Sequence, residues 1–132
     1  MKTYKTGGYY DHLRRAFGSV EEMAWFLDRS TSYIQKRLTG GASFTEKETE
    51  DLNGAAGFYD RTDIHPVKFQ KMQQNTKNHG LHLVYALVWS MCSVGLSLRY
   101  SVTMAREVAE GIGYHLPPIN DILDQIYKET EV

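Results

Sequence analysis

One short segment of the chain carries a dense set of side chains that can donate hydrogen bonds. They lie within the sequence TSYIQKR, and they are Thr31, Ser32, Gln35, Lys36 and Arg37. Hydroxyl, amide and basic groups are what proteins use to bind the edges of DNA bases and the neighbouring phosphates. The segment therefore indicates recognition of double-stranded DNA, provided that a helix presents these groups on one face.

Two short helices joined by a tight turn are predicted for residues 19–40. Ser19 and Glu22 have the spacing of a capping box, so a first helix should begin at Val20. Its apolar residues recur at spacings of three and four, as on one buried helix face. They are Val20, Met23, Ala24 and Leu27. This stripe ends before Asp28 and Arg29.

Ser30 can cap a second helix, in which Ile34 and Leu38 are the apolar positions. The hydrogen-bond donors lie on the opposite side of this helix and so face outward. Tyr33 also lies on it, and its ring has two interpretations. It contacts DNA by stacking or hydrogen bonding, or it packs as a half-buried residue.

These residues resemble the Cro/repressor-type helix-turn-helix regulators of phages and bacteria. The similarity covers residues 9–57 and is strongest in RSTSYIQKRLTGGASFTEKETEDL, which resembles the family's recognition helix, closing Gly, loop and fourth helix. The chain differs where the family has Gly in the turn, here Asp28, and an apolar residue next, here Arg29. Asp tolerates a left-handed backbone, so the turn remains feasible, whereas Arg29 should not be buried without a partner.

Contacts to the DNA backbone are expected at the two ends of the motif. The dipole of the first helix, at Ser19 and Val20, should attract a phosphate, and Thr39, Gly40 and Ser43 should hold the backbone beyond the second helix. The structural alternative is an amphipathic helical hairpin that only packs.

The rest of the chain is predicted to be helical, which makes the protein all-α. An N-terminal helix with the apolar residues Tyr10, Leu13, Ala16 and Phe17 should cover the helix-turn-helix core. Thr45 with Glu48 is a second capping box that begins a helix over residues 46–55. We expect a helix-turn-helix domain in residues 1–57, a connector in residues 58–66 and a helical oligomerisation region in residues 67–132. In that region Phe69 and Met72 anchor a polar helix.

Residues 81–98 form an uncharged run that is long enough to cross a bilayer. A polar serine stripe favours a buried or oligomerisation helix instead. Its small residues would permit close contact with another helix, and they are Ala86, Ser90, Ser93 and Ser97. We therefore expect a homodimer or a higher oligomer and no membrane partner.

Residues 101–127 also fit the helix-turn-helix pattern. The matching apolar, small and turn positions are Val108, Ala109, Ile112, Gly113, Tyr114, Ile119 and Ile122. The second helix would present Asp121 and Asp124, which phosphates repel. Packing or oligomerisation is the preferred interpretation, and a second nucleic-acid contact is the alternative.

Charge is unevenly distributed along the 132 residues, although the net charge is only −1. Residues 1–40 carry seven Lys or Arg against four Asp or Glu, whereas residues 41–63 carry two against six. The basic excess coincides with the predicted DNA-binding helices, as counterion release requires; random scatter is the alternative. The single Cys92 excludes an internal disulfide, and the N-terminus lacks a secretion signal, so a cytoplasmic location is expected.

Motifs for catalysis or cofactor binding are scarce. The sequence lacks a phosphate-binding loop, a zincin pair and a nucleophile with its base. His79, His82 and Cys92 make only an incomplete zinc set. We therefore expect no enzyme activity, no metal and no cofactor.

The sequence thus predicts a transcription regulator, encoded by a phage or prophage, that binds a repeated or palindromic operator as a homo-oligomer. The compact head and helical tail also resemble in organisation the phage CII-type lysogeny regulators, with YYDHLRRAF as the sequence hint. Repression and activation both remain open, and activation would add RNA polymerase as a partner. Two alternatives are a helical protein-binding or inhibitor factor of a phage or mobile element, and a membrane-tethered regulator.

Overall fold

The computed structural model describes residues 7–131, with side chains from Asp11 onward. Residues 7–131 contain helices and no strand, which confirms the all-α prediction for this part of the chain. The helices are α1 (Gly7–Phe17), α2 (Val20–Leu27), α3 (Thr31–Leu38), α4 (Glu46–Thr62), α5 (Pro66–Asn75), α6 (His79–Ser93), α7 (Leu98–Ile112) and α8 (Ile119–Thr130). The chain forms two compact units, Met1–Ala56 and Gly57–Val132.

The first unit has a small core to which all four of its helical segments contribute. The buried apolar side chains are Leu13, Ala16, Phe17, Met23, Ala24, Ile34, Leu38, Leu52, Ala55 and Ala56. Phe17 also packs on Phe26, with ring centroids 5.2 Å apart. The predicted burial of Ile34 and Leu38 is confirmed, and it leaves the opposite side of α3 exposed.

Local capping determines where α2 and α3 begin and end. Ser19 accepts a hydrogen bond from the Glu22 amide at 3.2 Å, and Ser30 accepts one from the Tyr33 amide at 3.1 Å. Asp28 ends α2 in the left-handed region, at φ 56° and ψ 50°. The predicted caps are therefore correct, and Asp takes the backbone conformation that Gly usually supplies.

The helix that begins after Thr45 is longer than predicted. It does not end near Ala55 but continues as α4 to Thr62, so residues 58–62 of the expected connector are helical. Gly57 lies inside this helix, and a Cβ there would lie 2.8 Å from the Ser93 carbonyl oxygen. Gly57 therefore permits close contact with another part of the backbone and does not end a helix.

The second unit is built around α6 and α7, which pack along each other. Phe58 and Phe69 lie at its centre with ring centroids 4.7 Å apart, and Trp89 stacks on Phe58 at the same distance. Phe69 and Met72 are buried, as predicted. Cys92 is fully buried, and its thiol donates to the Ser101 hydroxyl at 3.4 Å.

The uncharged run of residues 81–98 is not one helix. It is divided because α6 ends at Ser93, Gly95 adopts a positive φ of 106°, and Ser97 caps α7 by accepting from the Tyr100 amide. The expected small-residue stripe is therefore split between two elements. Among the described residues, none of the helices has the length and apolar content needed to cross a membrane.

Residues 101–127 match the α2–α3 pair only in part. Gly113 does end α7 with a positive φ of 118°, and Ala109 and Ile122 are buried. Val108 and Ile112, which the pattern placed at core positions, are 48% and 65% exposed. Arg106 instead braces the connection to α8 by donating to the carbonyl oxygens of Leu116 and Pro117.

Candidate nucleic-acid interface

The outer face of α3 presents four polar side chains to solvent. All four are exposed, and none has a hydrogen bond or ion pair to another residue in the described part of the chain. They are Thr31, Ser32, Gln35 and Lys36. Positions 31 and 35, and 32 and 36, are each one helical turn apart, so these groups form one continuous surface. The sequence predicted this arrangement from the buried positions of Ile34 and Leu38.

Tyr33 anchors the first turn of α3 to the start of α4. Its hydroxyl donates to the two carboxylate oxygens of Glu48, at 2.8 and 3.0 Å. Of the two interpretations of Tyr33 that the sequence left open, this contact favours the structural one. The hydroxyl proton is engaged within the protein, so Tyr33 positions α3.

Two guanidinium groups pack on the Tyr33 ring. The Arg37 guanidinium carbon lies 3.2 Å from the ring centroid, and that of Arg29 lies 4.6 Å away. Arg37 also donates to the Tyr33 carbonyl oxygen at 3.1 Å, while its Nε is buried without a hydrogen-bond partner. Cation–π contacts of this kind hold an arginine in place. Arg37 therefore belongs to the support of α3 as well as to its charged surface.

Glu48 is the residue that connects this cluster, and it is only 7% exposed. It completes the predicted capping box, since its amide donates to the Thr45 hydroxyl and its carboxylate accepts from the Thr45 amide at 3.0 Å. Arg29 donates to the same carboxylate at 3.1 Å. The Glu48 carboxylate is thus the partner that Arg29 was expected to have.

The surroundings of Glu48 favour its ionised form. Burial acts to raise the pKa of the carboxyl group, but hydrogen bonds from Thr45, Tyr33 and Arg29, together with the Arg29 charge, lower the pKa below its ordinary value of 4.5. The cluster of Arg29, Tyr33, Arg37 and Glu48, hereafter the Tyr33 cluster, is therefore charged and bonded at neutral pH. Sequence reasoning missed the role of Glu48 because its partners lie 15 and 19 residues away.

The residues expected to hold the DNA backbone lie at both ends of the α2–α3 pair. Gly40 and Ser43 are exposed in the loop after α3, where Gly40 has a φ of 89°. Ser19 is part of the α2 cap, so its hydroxyl oxygen already accepts the Glu22 amide. The Thr39 hydroxyl donates to the Gln35 carbonyl oxygen at 2.9 Å, so this proton is not free for a phosphate.

Gly41 leaves room for Lys36. A Cβ at Gly41 would lie 3.0 Å from the Lys36 Cγ and 3.3 Å from its carbonyl oxygen. The aliphatic part of Lys36 therefore lies beside the backbone of the loop. This contact orients the one basic side chain of α3 that has no ion pair and no ring contact within the described residues.

The described residues do not bring three His, Cys, Asp or Glu side chains together where a metal ion could be held. Comparison with family models, curated proteins and solved structures identifies no match for this chain.

Proposed function

We propose that this protein is a sequence-specific DNA-binding transcription regulator in which α3 is the recognition helix of a helix-turn-helix. The observation that supports this proposal is the exposed, unpartnered polar face of α3, backed by a buried apolar side and fixed by the Tyr33 cluster. A helix of this kind enters the major groove, where side-chain donors and acceptors distinguish base pairs.

We propose DNA contacts for the exposed polar side chains of α3. Gln35 and Lys36, with Thr31 and Ser32, have free polar groups and are the proposed base and phosphate contacts. Arg37 contributes charge near the DNA, while Tyr33 holds the helix. A bidentate contact from Gln35 to an adenine and an ion pair from Lys36 to a phosphate are the pairings that we propose.

We further propose that the regulator acts as a homodimer through a stripe on α7. Tyr100, Val108 and Ile112 are 50%, 48% and 65% exposed, and with Met104 they recur every four residues. Such i±4 ridges interlock when two copies of one helix cross. A closed two-fold pair would bury this apolar surface and present two recognition helices to a repeated or palindromic site.

Charge favours antiparallel pairing of the two α7 helices. Arg99 lies at the start of α7, whereas Glu107 and Glu110 lie in its second half, where Arg106 pairs with Glu110 at 2.9 Å and Glu107 has no ion pair within the described chain. Antiparallel pairing brings Arg99 of each copy towards the carboxylates of the other. Parallel pairing would instead place like charges side by side.

One observation favours a second function, in which the first unit binds a protein. Among the basic side chains near α3, Arg29 is paired with Glu48 and Arg37 is stacked on Tyr33, which leaves Lys36 as the cation of the helix without a partner among the described residues. Affinity for phosphates depends on free cations. The face of α3 would then serve as an interaction surface of an inhibitor or adaptor.

Selection of bound DNA distinguishes these functions. Genomic fragments are recovered with the full-length protein at near-physiological salt, with Gln35→Ala/Lys36→Glu as the test variant and Lys128→Glu, at an exposed position of α8, as the charge-matched control. We expect a discrete repeated or palindromic site that the test variant loses and the control retains. Failure of the native protein to enrich any sequence would contradict the proposal and favour a protein partner.

A further inference from the structure

The second unit contains an open cleft of about 510 Å³. It is bordered by the connection between α5 and α6, by α6 and by α8. Its volume lies within the range of small-molecule sites, which combine apolar walls with a few placed polar groups. Leu81 and Ile122 supply apolar surface, and Lys77, Asp121 and Glu129 supply charge.

Tyr85 lines this cleft and is otherwise buried. The residue is 1% exposed, its ring meets Phe69 edge-on with centroids 6.0 Å apart, and its hydroxyl has no hydrogen-bond partner among the described residues. The Tyr85 oxygen is not one of the enclosed polar atoms that lack a partner, so it is accessible from the cleft and available to a ligand. Burial and the nearby Glu129 charge raise the pKa of Tyr85 to about 12, so the phenol stays protonated at neutral pH.

One wall of the cleft is an acidic face of α8. Asp121, Gln125 and Glu129 recur every four residues and all line the cleft. The two carboxylates are about 12 Å apart along the helix axis at 1.5 Å per residue. Neither forms an ion pair within the described chain, and Lys77 on the α5–α6 connection is likewise without one. Opposite charges thus line the same cleft without neutralising each other.

We propose that this cleft binds an amino acid with an apolar side chain. The carboxylate of the ligand would accept from the Tyr85 hydroxyl and pair with Lys77. Its ammonium group would bind a carboxylate of the α8 wall, and its side chain would contact Leu81 and Ile122.

Ligands of a single charge fit this cleft less well. A simple anion would meet the carboxylates of Asp121 and Glu129. A simple amine would meet the charge of Lys77 and would offer the Tyr85 hydroxyl no acceptor. A compact zwitterion matches both charges and the phenol. This proposal does not rest on the proposed DNA binding, because binding of the amino acid is measured without DNA.

Calorimetric titration of the full-length protein tests the site. The probes are leucine, isoleucine, methionine and phenylalanine. Each amino acid is compared with two analogues, the amine that lacks its carboxylate and the acid that lacks its amino group. We expect at least one amino acid to bind, and its two analogues to bind at least tenfold more weakly. Absence of binding by all four amino acids, or equal binding of an amine or acid analogue, would overturn the proposal.

Three variants locate the site. Tyr85→Phe removes one charge-assisted hydrogen bond and should weaken binding about tenfold. Glu129→Gln, which changes an exposed residue and does not alter the core, should also weaken it. Asp124→Asn, on the same helix but outside the cleft lining, is the control and should leave affinity unchanged. If all three variants bind the amino acid as tightly as the native protein does, the amino acid binds elsewhere and the proposed site is wrong.

Discussion

The Tyr33 hydroxyl donates to the Glu48 carboxylate at 2.8 Å and thereby joins the first turn of α3 to the start of α4. The same carboxylate accepts the Thr45 amide that begins α4 and pairs with Arg29 in the turn before α3. One buried acid therefore fixes three backbone segments around the proposed recognition helix. The exposed face of α3 owes its orientation to a charged group behind it.

Replacement of this acid should make the stability of the first unit less dependent on pH. Because the pKa of Glu48 is lowered on folding, its ionised form stabilises the protein above the ordinary value of 4.5. This contribution is lost as the pH falls below 4.5 and through the lowered pKa of the folded state. At pH 7 we expect Glu48→Gln to lower the free energy of unfolding by about 1–2 kcal/mol.

Urea unfolding from pH 7 to pH 3 measures this effect. Trp25 fluorescence in a Trp89→Phe background reports on the first unit, since the chain contains two tryptophans. The difference in unfolding free energy between this background protein and its Glu48→Gln variant should shrink below pH 4.5. Glu21→Gln, at an exposed position of α2, is the control. A difference that stays constant across this range would refute the assigned role of Glu48.

The turn before α3 should be sensitive to side chains at position 28. Asp28 lies in the left-handed region, where a β-branched residue is strained by about 1–2 kcal/mol. We expect Asp28→Val to lower the free energy of unfolding by that amount, whereas Asp28→Gly and Asp28→Asn should be nearly neutral. Chemical denaturation of the three variants provides the comparison. Equal losses in all three would show that the aspartate acts through its charge.

Much of the first unit was predictable because its signals are local. Ser19, Ser30 and the Thr45–Glu48 pair each cap a helix from within three residues, and the spacing of Ile34 and Leu38 identifies the buried side of α3. Each of these features depends on neighbours in the same helix. A single sequence contains that information.

The remaining features depend on residues that are distant in the chain. Gly57 packs closely against the Ser93 backbone beyond the predicted end of α4, and the support of Tyr33 comes from Glu48. Neither partner follows from helical periodicity. On α7, Leu98, Val102, Ala105 and Ala109 are buried while Val108 and Ile112 are exposed, so hydrophobicity alone does not tell which apolar residues are covered.

The exposed stripe on α7 should control self-association. Val108→Lys/Ile112→Lys places two charges on a surface that the proposed dimer would bury, and desolvation of unpaired charges is costly. We expect the native protein to sediment as a dimer and this variant as a monomer with unchanged helical content. Tyr127→Lys, at another exposed apolar position, is the control. A native protein that sediments as a monomer at every concentration would rule out the interface.

The number of phosphate contacts made by α3 should be small and measurable. Lys36 is the cation of α3 that has no partner within residues 7–131, so Lys36→Ala should reduce the slope of log affinity against log salt by about 1. Tyr33→Phe should weaken binding to the selected site because α3 loses its tether to Glu48, but it should leave the slope unchanged because no phosphate contact is removed. Fluorescence anisotropy at several salt concentrations separates the two effects. If Tyr33→Phe lowers the slope as Lys36→Ala does, the substitution has removed a cationic contact to a phosphate, and the claim that Tyr33 acts only by positioning α3 is wrong.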